Sequence, residues 1–345
     1  MSKNPYQSLP ARAFWRSAIS ERHYAELADI WDPMPIGLKD RIATAGSCFA
    51  QHIGRNLVER GANFLDAEPA PPALFSSVAE ARRFGYGVYS CRYGNVYTSR
   101  QLIQLFDEAY GRRSPKTVVW PSDGRYFDAL RPSVDPVGQG SADDVLALRQ
   151  KHLARVREMF SSLDVFVFTM GLTEGWIAKD DRTMYPAAPG TVCGSFDPAA
   201  YAFHNLSFPE IWADMEAFWA GLRKVNPKAR MLLTVSPVPL TATASGDHVL
   251  AASTYSKSVL RAVAGELARA HEGIHYFPSY EIISSHPSRG MFYDPNLRTV
   301  NEFGVKLVMG HFFSGRLAQT FSARQAPAAE EPVELICDEE AQDAS

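Results

Sequence analysis

The chain has 345 residues, of which 46% are hydrophobic and 21% are charged, and its formal net charge at pH 7 is −3. These proportions are close to those of average globular domains, so they argue against a generally disordered chain, and the small net charge predicts no nucleic-acid partner. The longest apolar run is far shorter than the roughly 20 residues of a membrane span, and the N-terminal segment MSKNPYQSLPARAFW lacks the apolar core of a signal peptide. We therefore expect a protein without a membrane span, with a cytoplasmic location as the default.

The cysteines and histidines do not form metal-binding patterns. Cysteines stand at positions 48, 91, 193 and 337, which is neither the C-x-x-C spacing of a metal site nor the density of a disulfide scaffold, so we expect reduced thiols. None of the 9 histidines belongs to an H-E-x-x-H motif. The sequence therefore predicts no metal and no other cofactor.

Composition divides the chain into three parts. Residues 1–40 carry several prolines and aromatic residues without a long helical or strand period, which suggests an ordered arm wrapped on the domain. Residues 41–321 are expected to form a single α/β domain. Residues 322–345, rich in Ala, Pro, Glu and Asp, are typical of a disordered acidic tail.

Between residues 41 and 321 the hydrophobic pattern alternates between short strands and helices. Four strands are predicted, at 41–45, 165–169, 231–235 and 274–277. Helices are predicted at 48–59, after Thr98, at 141–162, after Ser207, at 249–270 and at 301–321. Thr98 with Gln101, and Ser207 with Glu210, form capping-box signatures. Strands alternating with helices imply right-handed crossovers and a parallel sheet covered on both faces, so we expect a doubly wound α/β fold.

The predicted topology indicates where a functional site should lie. In such sheets ligands bind beyond the carboxyl ends of the strands. This rule selects four loops that follow predicted strands, at 46–48, 171–176, 236–248 and 279–298. We expect these loops, together with the loop that contains Asn95, to meet at one edge of the sheet.

The turn Gly46-Ser47-Cys48 joins the first predicted strand to the first predicted helix. A helix N-terminus lowers the pKa of a cysteine and makes it nucleophilic, so Cys48 is a candidate nucleophile with an exposed, electropositive thiol. In the alternative interpretation Ser47 caps the helix and Cys48 is a small buried residue. His52 lies one helical turn after Cys48 and could serve as its base, or it could bond a backbone carbonyl or point to solvent.

Other polar residues in the predicted loops are candidates for a site. Glu174 follows the second strand and could orient a histidine, bind a substrate hydroxyl or pair with an arginine. Gly94 and Asn95 offer the backbone N–H and amide donors that an oxyanion hole needs, although a glycine before a helix cap is also an ordinary loop feature. His286 stands in the loop after the last strand and is followed by Asp294.

Several segments of the chain form a specific set of motifs. Residues 46–50 read Gly-Ser-Cys-Phe-Ala, the signature after which the GSCFA family is named. Further segments similar to the proteobacterial branch of that family are Arg92–Thr98, Gly171–Glu174, Thr234–Pro239, Tyr255–Lys257 and Tyr276–Glu281. Together they span roughly residues 40 to 315, so the chain resembles a GSCFA protein over most of its length.

The GSCFA family is similar to SGNH hydrolases, in which a Gly-Asp-Ser turn holds the nucleophile, a later Gly and Asn complete the oxyanion hole, and a D-x-x-H motif supplies the base. The resemblance implies an SGNH-like fold with Cys48 at the nucleophile position. It also implies that Gly94 and Asn95 lie in the glycine block and that Thr173 replaces the oxyanion asparagine. The D-x-x-H motif has no counterpart, because residues 296–299 read Asn-Leu-Arg-Thr.

The missing motif leaves two alternatives for the base. Either another histidine supplies it, best His286 oriented by Asp294 or Glu174, or the protein has lost hydrolytic chemistry. A cysteine needs less help from a base than a serine does, because a thiol is the stronger acid.

The sequence therefore predicts an acyl-ester hydrolase or O-acyltransferase that acts on a glycan or small hydroxylated substrate through a thioacyl intermediate on Cys48. The glycan follows from the resemblance alone, and Ser47 is then a cap or an oxyanion neighbour. The predicted substrate-binding residues are Gly94, Asn95, Thr173, Ser236 and His248. The alternative is a catalytically silent protein that binds a carbohydrate or an acyl donor in an SGNH-like cleft. The acyl group, the acceptor and the oligomeric state are not predicted.

Overall fold

A computed structural model describes residues 4–27 and 29–321, so the predicted tail lies outside the described residues. The strands are β1 (Ile42–Gly46), β2 (Val119–Ser122), β3 (Arg125–Asp128), β4 (Val165–Met170), β5 (Glu174–Ala178), β6 (Met184–Tyr185), β7 (Tyr201–Asn205), β8 (Arg230–Val235) and β9 (Ile274–Phe277). The helices are α1 (Phe49–Glu59), α2 (Val78–Arg83), α3 (Ser99–Ala109), α4 (Ala142–Ser162), α5 (Phe208–Val225), α6 (Val249–Ala270), α7 (Ser279–Ser284), α8 (Glu302–Phe312) and α9 (Gly315–Thr320).

Four strands form the central parallel sheet in the order β1-β4-β8-β9. In its register Gly46 lies beside Thr169, and Thr169 lies beside Thr234. Both β1 and β4 are buried along their whole length, as expected for strands covered on both faces. The predicted α/β fold with a parallel sheet flanked by helices is confirmed.

Two apolar cores lie on the two faces of the sheet because side chains alternate along each strand. Phe166 and Phe168 of β4 join one core with residues of α3, α4, α5 and α6. Val165 and Val167 join the other core with residues of α1, α7, α8 and α9. The strands follow one another in sequence across the sheet, so right-handed crossovers place α4, α5 and α6 on one face. The other face is covered by α1 and the C-terminal helices.

The helix starts agree closely with their sequence signals. Thr98 and Gln101 form the predicted capping box of α3, and Ser207 and Glu210 form that of α5. The predicted helix over 301–321 is wrong in its length. It is two helices, α8 and α9, and Gly315 at the break has a φ angle of +55°, outside the conformation of a continuous right-handed helix.

A second, antiparallel sheet lies in the order β6-β5-β7 and is inserted between β4 and α5. We expected residues 171–176 to be a loop, but β5 begins at Glu174. The sequence signal for these strands was weak because each has only 2 to 5 residues and little alternation. A hairpin of β2 and β3 was not predicted either.

Part of the N-terminal segment packs against the C-terminal helices. The indole N–H of Trp31 donates to the carbonyl of His311 at 2.9 Å, and its ring contacts Phe277 and Phe312. Trp31 thus belongs to the same core as α1 and α8. Within the described part of the chain, no helix is both long and apolar enough to cross a membrane.

Candidate functional site

Gly46 lets the chain leave the sheet while staying in close contact with β4. Its φ angle is +137°, which glycine tolerates and other residues avoid. A Cβ at this position would lie 2.3 Å from the carbonyl oxygen of Thr169. The N–H of Ser47 donates to that same oxygen at 3.1 Å. Glycine is therefore required here by the backbone angle and by the close approach of a neighbouring strand.

The side chains of Ser47 and Cys48 lie directly after this turn and are both buried, with 3% of each residue exposed. Cys48 is the N-cap residue of α1, and its side chain makes no capping hydrogen bond. Ser47 does not cap the helix either, because its Oγ has no hydrogen-bond partner among the described residues. The expectation of an exposed Cys48 thiol is wrong, since hydrogen bonds from Ser47 to β4 and from Val96 to Gly46 hold the turn inside the domain.

The segment around Asn95 lies against the same turn. The hydroxyl of Tyr89 is 2.5 Å from Oδ1 of Asn95 and 3.1 Å from the carbonyl oxygen of Ser47. The hydroxyl of Tyr89 thus connects Asn95 to the predicted nucleophile turn. Gly94 has a φ angle of +69° and packs near Val134, so its visible role is to allow the chain to turn.

The turn after β4 meets the turn after β1. The N–H groups of Gly171 and Leu172 donate to the carbonyl of Tyr97 at 2.9 and 3.1 Å. A Cβ on Gly171 would lie 2.9 Å from Cβ of Ser47 and 3.2 Å from Tyr97. The absence of a side chain at Gly171 therefore allows Ser47 to pack against this turn.

Two neighbouring residues of α6, which we did not predict as site residues, hold the Gly171 turn from the other side. Oγ of Ser256 accepts the N–H of Thr173 at 3.1 Å, and the ammonium of Lys257 donates to the carbonyl of Gly171 at 2.7 Å. Both side chains belong to buried residues. The signal that could have revealed them is the segment Tyr255–Lys257, because a serine and a lysine are unusual on the inner face of a helix.

Three buried hydroxyls without a hydrogen-bond partner lie in this region of the described chain. They are Oγ of Ser47, Oγ1 of Thr169 and Oγ1 of Thr173. Ser47 lies in the turn after β1, Thr169 lies near the end of β4, and Thr173 lies in the turn after β4. A buried hydroxyl without a partner costs about 1–3 kcal/mol, so native proteins retain few of them outside functional sites.

His52 is the histidine nearest in sequence to the turn. Its ring packs edge-on against Phe49, the residue after Cys48, with a centroid distance of 5.5 Å. Its buried Nε2 has no hydrogen-bond partner among the described residues. Burial, assisted by the charge of Arg55, lowers the pKa of His52 to about 4. The imidazole is therefore neutral at pH 7.

His286 lies in a different environment from the one we expected. It is exposed and stacks on Trp15 with a centroid distance of 5.2 Å. Within residues 4–27 and 29–321 its ring has no hydrogen bond to Asp294, and the carboxylate of Glu174 is bonded elsewhere, so neither predicted His286–carboxylate pair forms. In the same ranges, no group of three or more His, Cys, Asp or Glu residues is placed to hold a metal ion.

The remaining predicted residues have visible structural contacts. Oε1 of Glu174 accepts the hydroxyl of Thr243 at 2.8 Å, and burial raises the pKa of Glu174. Oγ of the buried Ser236 accepts the N–H of Val238 at 3.3 Å. His248 is exposed and caps α6, since its Nδ1 accepts a backbone N–H of the first turn. Glu174 and Ser236 lie at the carboxyl-end edge of the sheet, as Cys48 and its neighbours do.

The comparison with family models agrees with the GSCFA motifs of the sequence. One solved structure with some likeness is a carbohydrate esterase family 2 enzyme plus carbohydrate-binding domain from Corynascus thermopiles (Myceliophthora fergusii). The identity is 16% and the TM-score is 0.24, over 72% of this chain and 58% of that chain, so the present chain spans less than two thirds of that protein. No curated protein sequence matches. The model of the GSCFA family matches residues 41–312, and the chain therefore belongs to the GSCFA family.

Proposed function

We propose that the protein is an acyl-ester hydrolase or O-acyltransferase whose nucleophile is the thiol of Cys48. The observation that carries the proposal is the meeting of the turns after β1 and β4, where buried hydroxyls of Ser47 and Thr173 have no partner among the described residues. Preorganised donors of this kind stabilise the oxyanion of an acyl-transfer transition state. The similarity of the GSCFA family to SGNH hydrolases supports ester chemistry.

In the proposed reaction the Cys48 sulfur attacks the carbonyl carbon of an ester, and the thiol proton passes to a base. A carbon–sulfur bond forms and the carbonyl oxygen becomes an oxyanion. When the oxyanion collapses, the bond to the leaving alcohol breaks and that alcohol takes the proton from the base. Water or an acceptor hydroxyl then attacks the thioester, which releases the acyl group and restores the thiol.

His52 is the base that the contacts favour over His286. Its neutral ring lies on α1 one helical turn after Cys48 and contacts Phe49, and its Nε2 has no partner among the described residues. A base with a pKa of about 4 accepts a proton weakly, but a thiolate forming beside it would raise that pKa because opposite charges stabilise each other. Ser47 and Thr173 are the proposed oxyanion donors.

A second candidate function is a catalytically silent protein that binds a carbohydrate or an acyl donor. One observation favours it: in the described part of the chain, no histidine or carboxylate is hydrogen-bonded to Cys48. Enzymes without substrate often have long catalytic hydrogen bonds that shorten on binding, so this observation weighs less than a direct test of reactivity.

The test is intact-mass analysis after incubation with p-nitrophenyl acetate or acetyl-CoA. We expect one acetyl adduct on the wild-type protein and none on Cys48→Ala. Cys91→Ala is the matched control, because Cys91 is also buried but lies apart from the turn, and it should acetylate like the wild type. Ser47→Ala should slow acetylation by about 100-fold if its hydroxyl stabilises the oxyanion.

Two results would contradict the proposed mechanism. Normal acetylation of Cys48→Ala together with none of Ser47→Ala would move the nucleophile to Ser47. Failure of the wild-type protein to react with either donor would favour the silent binding protein.

A further inference from the structure

One face of the small antiparallel sheet combines polar and aromatic side chains. Glu174 of β5 is paired directly with Asn205 of β7, and Trp176 is paired with Phe203. Directly paired residues, and residues two apart on one strand, share a face of a sheet. All four side chains therefore lie on the same face, and the ring of Trp176 contacts that of Phe203 at a centroid distance of 5.9 Å.

Glu174, Trp176 and Phe203 of this face line a cleft of about 200 Å³, which residues 240–244 also line. Leu172 also lines the cleft. Because Leu172 packs with Tyr97 and Leu240 and directly follows Gly171, the cleft begins next to the turn that contacts Ser47. A ligand in the cleft would thus lie beside the proposed nucleophile site.

The polar atoms of the cleft are arranged for a ligand with hydroxyl groups. Oγ1 of Thr241 lines the cleft, is buried and has no hydrogen-bond partner among the described residues. Glu174 supplies a carboxyl group to the lining of the cleft, while the partly exposed indole of Trp176 supplies a flat apolar surface.

We propose that this cleft binds one sugar ring of the acyl acceptor or ester substrate, with Trp176 against the apolar face of the ring and with Glu174 and Thr241 bonded to its hydroxyls. A pyranose ring has one apolar face and an edge of hydroxyls, which matches a lining of both aromatic and polar side chains. The inference rests on the proposed function and names its substrate class. Neither Thr241 nor Trp176 stood out in the sequence.

Two other ligand classes fit the cleft less well. An acyl chain would satisfy the apolar residues but would leave Glu174 and Thr241 without new partners. A quaternary ammonium ion would suit an aromatic wall and a charged carboxylate. A quaternary ammonium ion has no N–H or O–H group, however, so it would leave the buried Oγ1 of Thr241 without a hydrogen-bond partner.

The test is saturation-transfer-difference NMR with methyl β-D-glucopyranoside and methyl β-D-galactopyranoside as probes, and with hexanoate and tetramethylammonium as competitors. We expect the wild-type protein to saturate at least one glycoside at millimolar concentrations. Trp176→Ala should weaken that binding by about tenfold, and the isosteric Thr241→Val should weaken it measurably. Trp15→Ala is the matched control, since Trp15 is exposed on the N-terminal segment and should not affect glycoside binding.

The proposal is overturned if neither glycoside binds, if binding is unchanged in both Trp176→Ala and Thr241→Val, or if hexanoate or tetramethylammonium displaces the glycoside more readily than excess glycoside does. Circular dichroism of each variant separates loss of binding from loss of fold. Glycoside binding needs no chemistry at Cys48. A protein that binds glycoside but forms no acetyl adduct therefore refutes the proposed reaction and supports sugar binding in the cleft. A protein that forms the adduct but binds no glycoside refutes sugar binding in the cleft alone.

Discussion

Gly46→Ala tests whether the close approach of β1 to β4 holds the candidate site together. A non-glycine residue at a φ angle of +137° costs about 1–3 kcal/mol in backbone strain. The added Cβ would also lie 2.3 Å from the carbonyl oxygen and 2.7 Å from the nitrogen of Thr169. These are backbone atoms and cannot rotate away, so the strands must shift, at a further cost of about 1–3 kcal/mol. We expect a loss of about 4 kcal/mol, or about 8 °C in Tm.

Gly87→Ala is the matched control for this prediction. Gly87 also has a positive φ angle, +64°, but a Cβ there would meet no atom within 4 Å. Only backbone strain remains, so we expect a loss of about 1 kcal/mol, or about 2 °C in Tm. Urea denaturation and thermal melting measure both variants. Equal losses in the two variants would refute the argument that contact with Thr169, rather than backbone conformation, makes glycine necessary at position 46.

Three further predictions concern titration, the Gly171 turn and the tail. Because the folded-state pKa of His52 is about 4, below the ordinary 6.5, the unfolded chain binds the extra proton first as the pH falls. The free energy of unfolding of the wild type should therefore decline between pH 7 and 4.5 by about 2–3 kcal/mol more than that of His52→Gln. Urea denaturation at each pH measures both proteins, and an equal decline in the two would contradict this prediction. Lys257→Met leaves the carbonyl of Gly171 without its ammonium partner, so it should cost about 2 kcal/mol in urea denaturation and slow acetylation of Cys48; wild-type values for both would show that the turn does not need the lysine. Deletion after Phe321 should change Tm by less than about 1 °C, since the tail composition offers little apolar surface to bury, and a large drop would mean that the tail docks on the domain.

Local sequence patterns were sufficient to predict much of the fold. The apolar run of β4 identifies a strand buried on both faces, because only such a strand buries every side chain. Capping residues such as Thr98 and Ser207 mark helix starts through hydrogen bonds to residues three positions away. These signals depend on neighbours along the chain, so they can be read without knowing the tertiary structure.

Distant contacts decided the features that the sequence predicted wrongly or left out. The exposure of Cys48 depends on the packing of the turn against β4 and Val96. The two helices that replace the predicted one over 301–321 depend on a backbone angle at Gly315 that its neighbours do not announce. The strands β5 and β7 become visible only once Glu174 and Asn205 are paired.

The sequence by itself determined the order of the four parallel strands and of the long helices between them, the glycine turn before α1 and the sheet edge where a site should lie. Hydrophobic period, caps and turn residues act over a few neighbouring positions, so these features can be read locally. The tertiary structure alone decided which side chains meet at that edge. It brought Lys257 and Ser256 onto the Gly171 turn from a helix more than 80 residues away, and it left His286 on the surface beside Trp15. Such contacts depend on how whole helices and strands pack together. Residue type and spacing along the chain do not give the distance between two such elements in the folded protein.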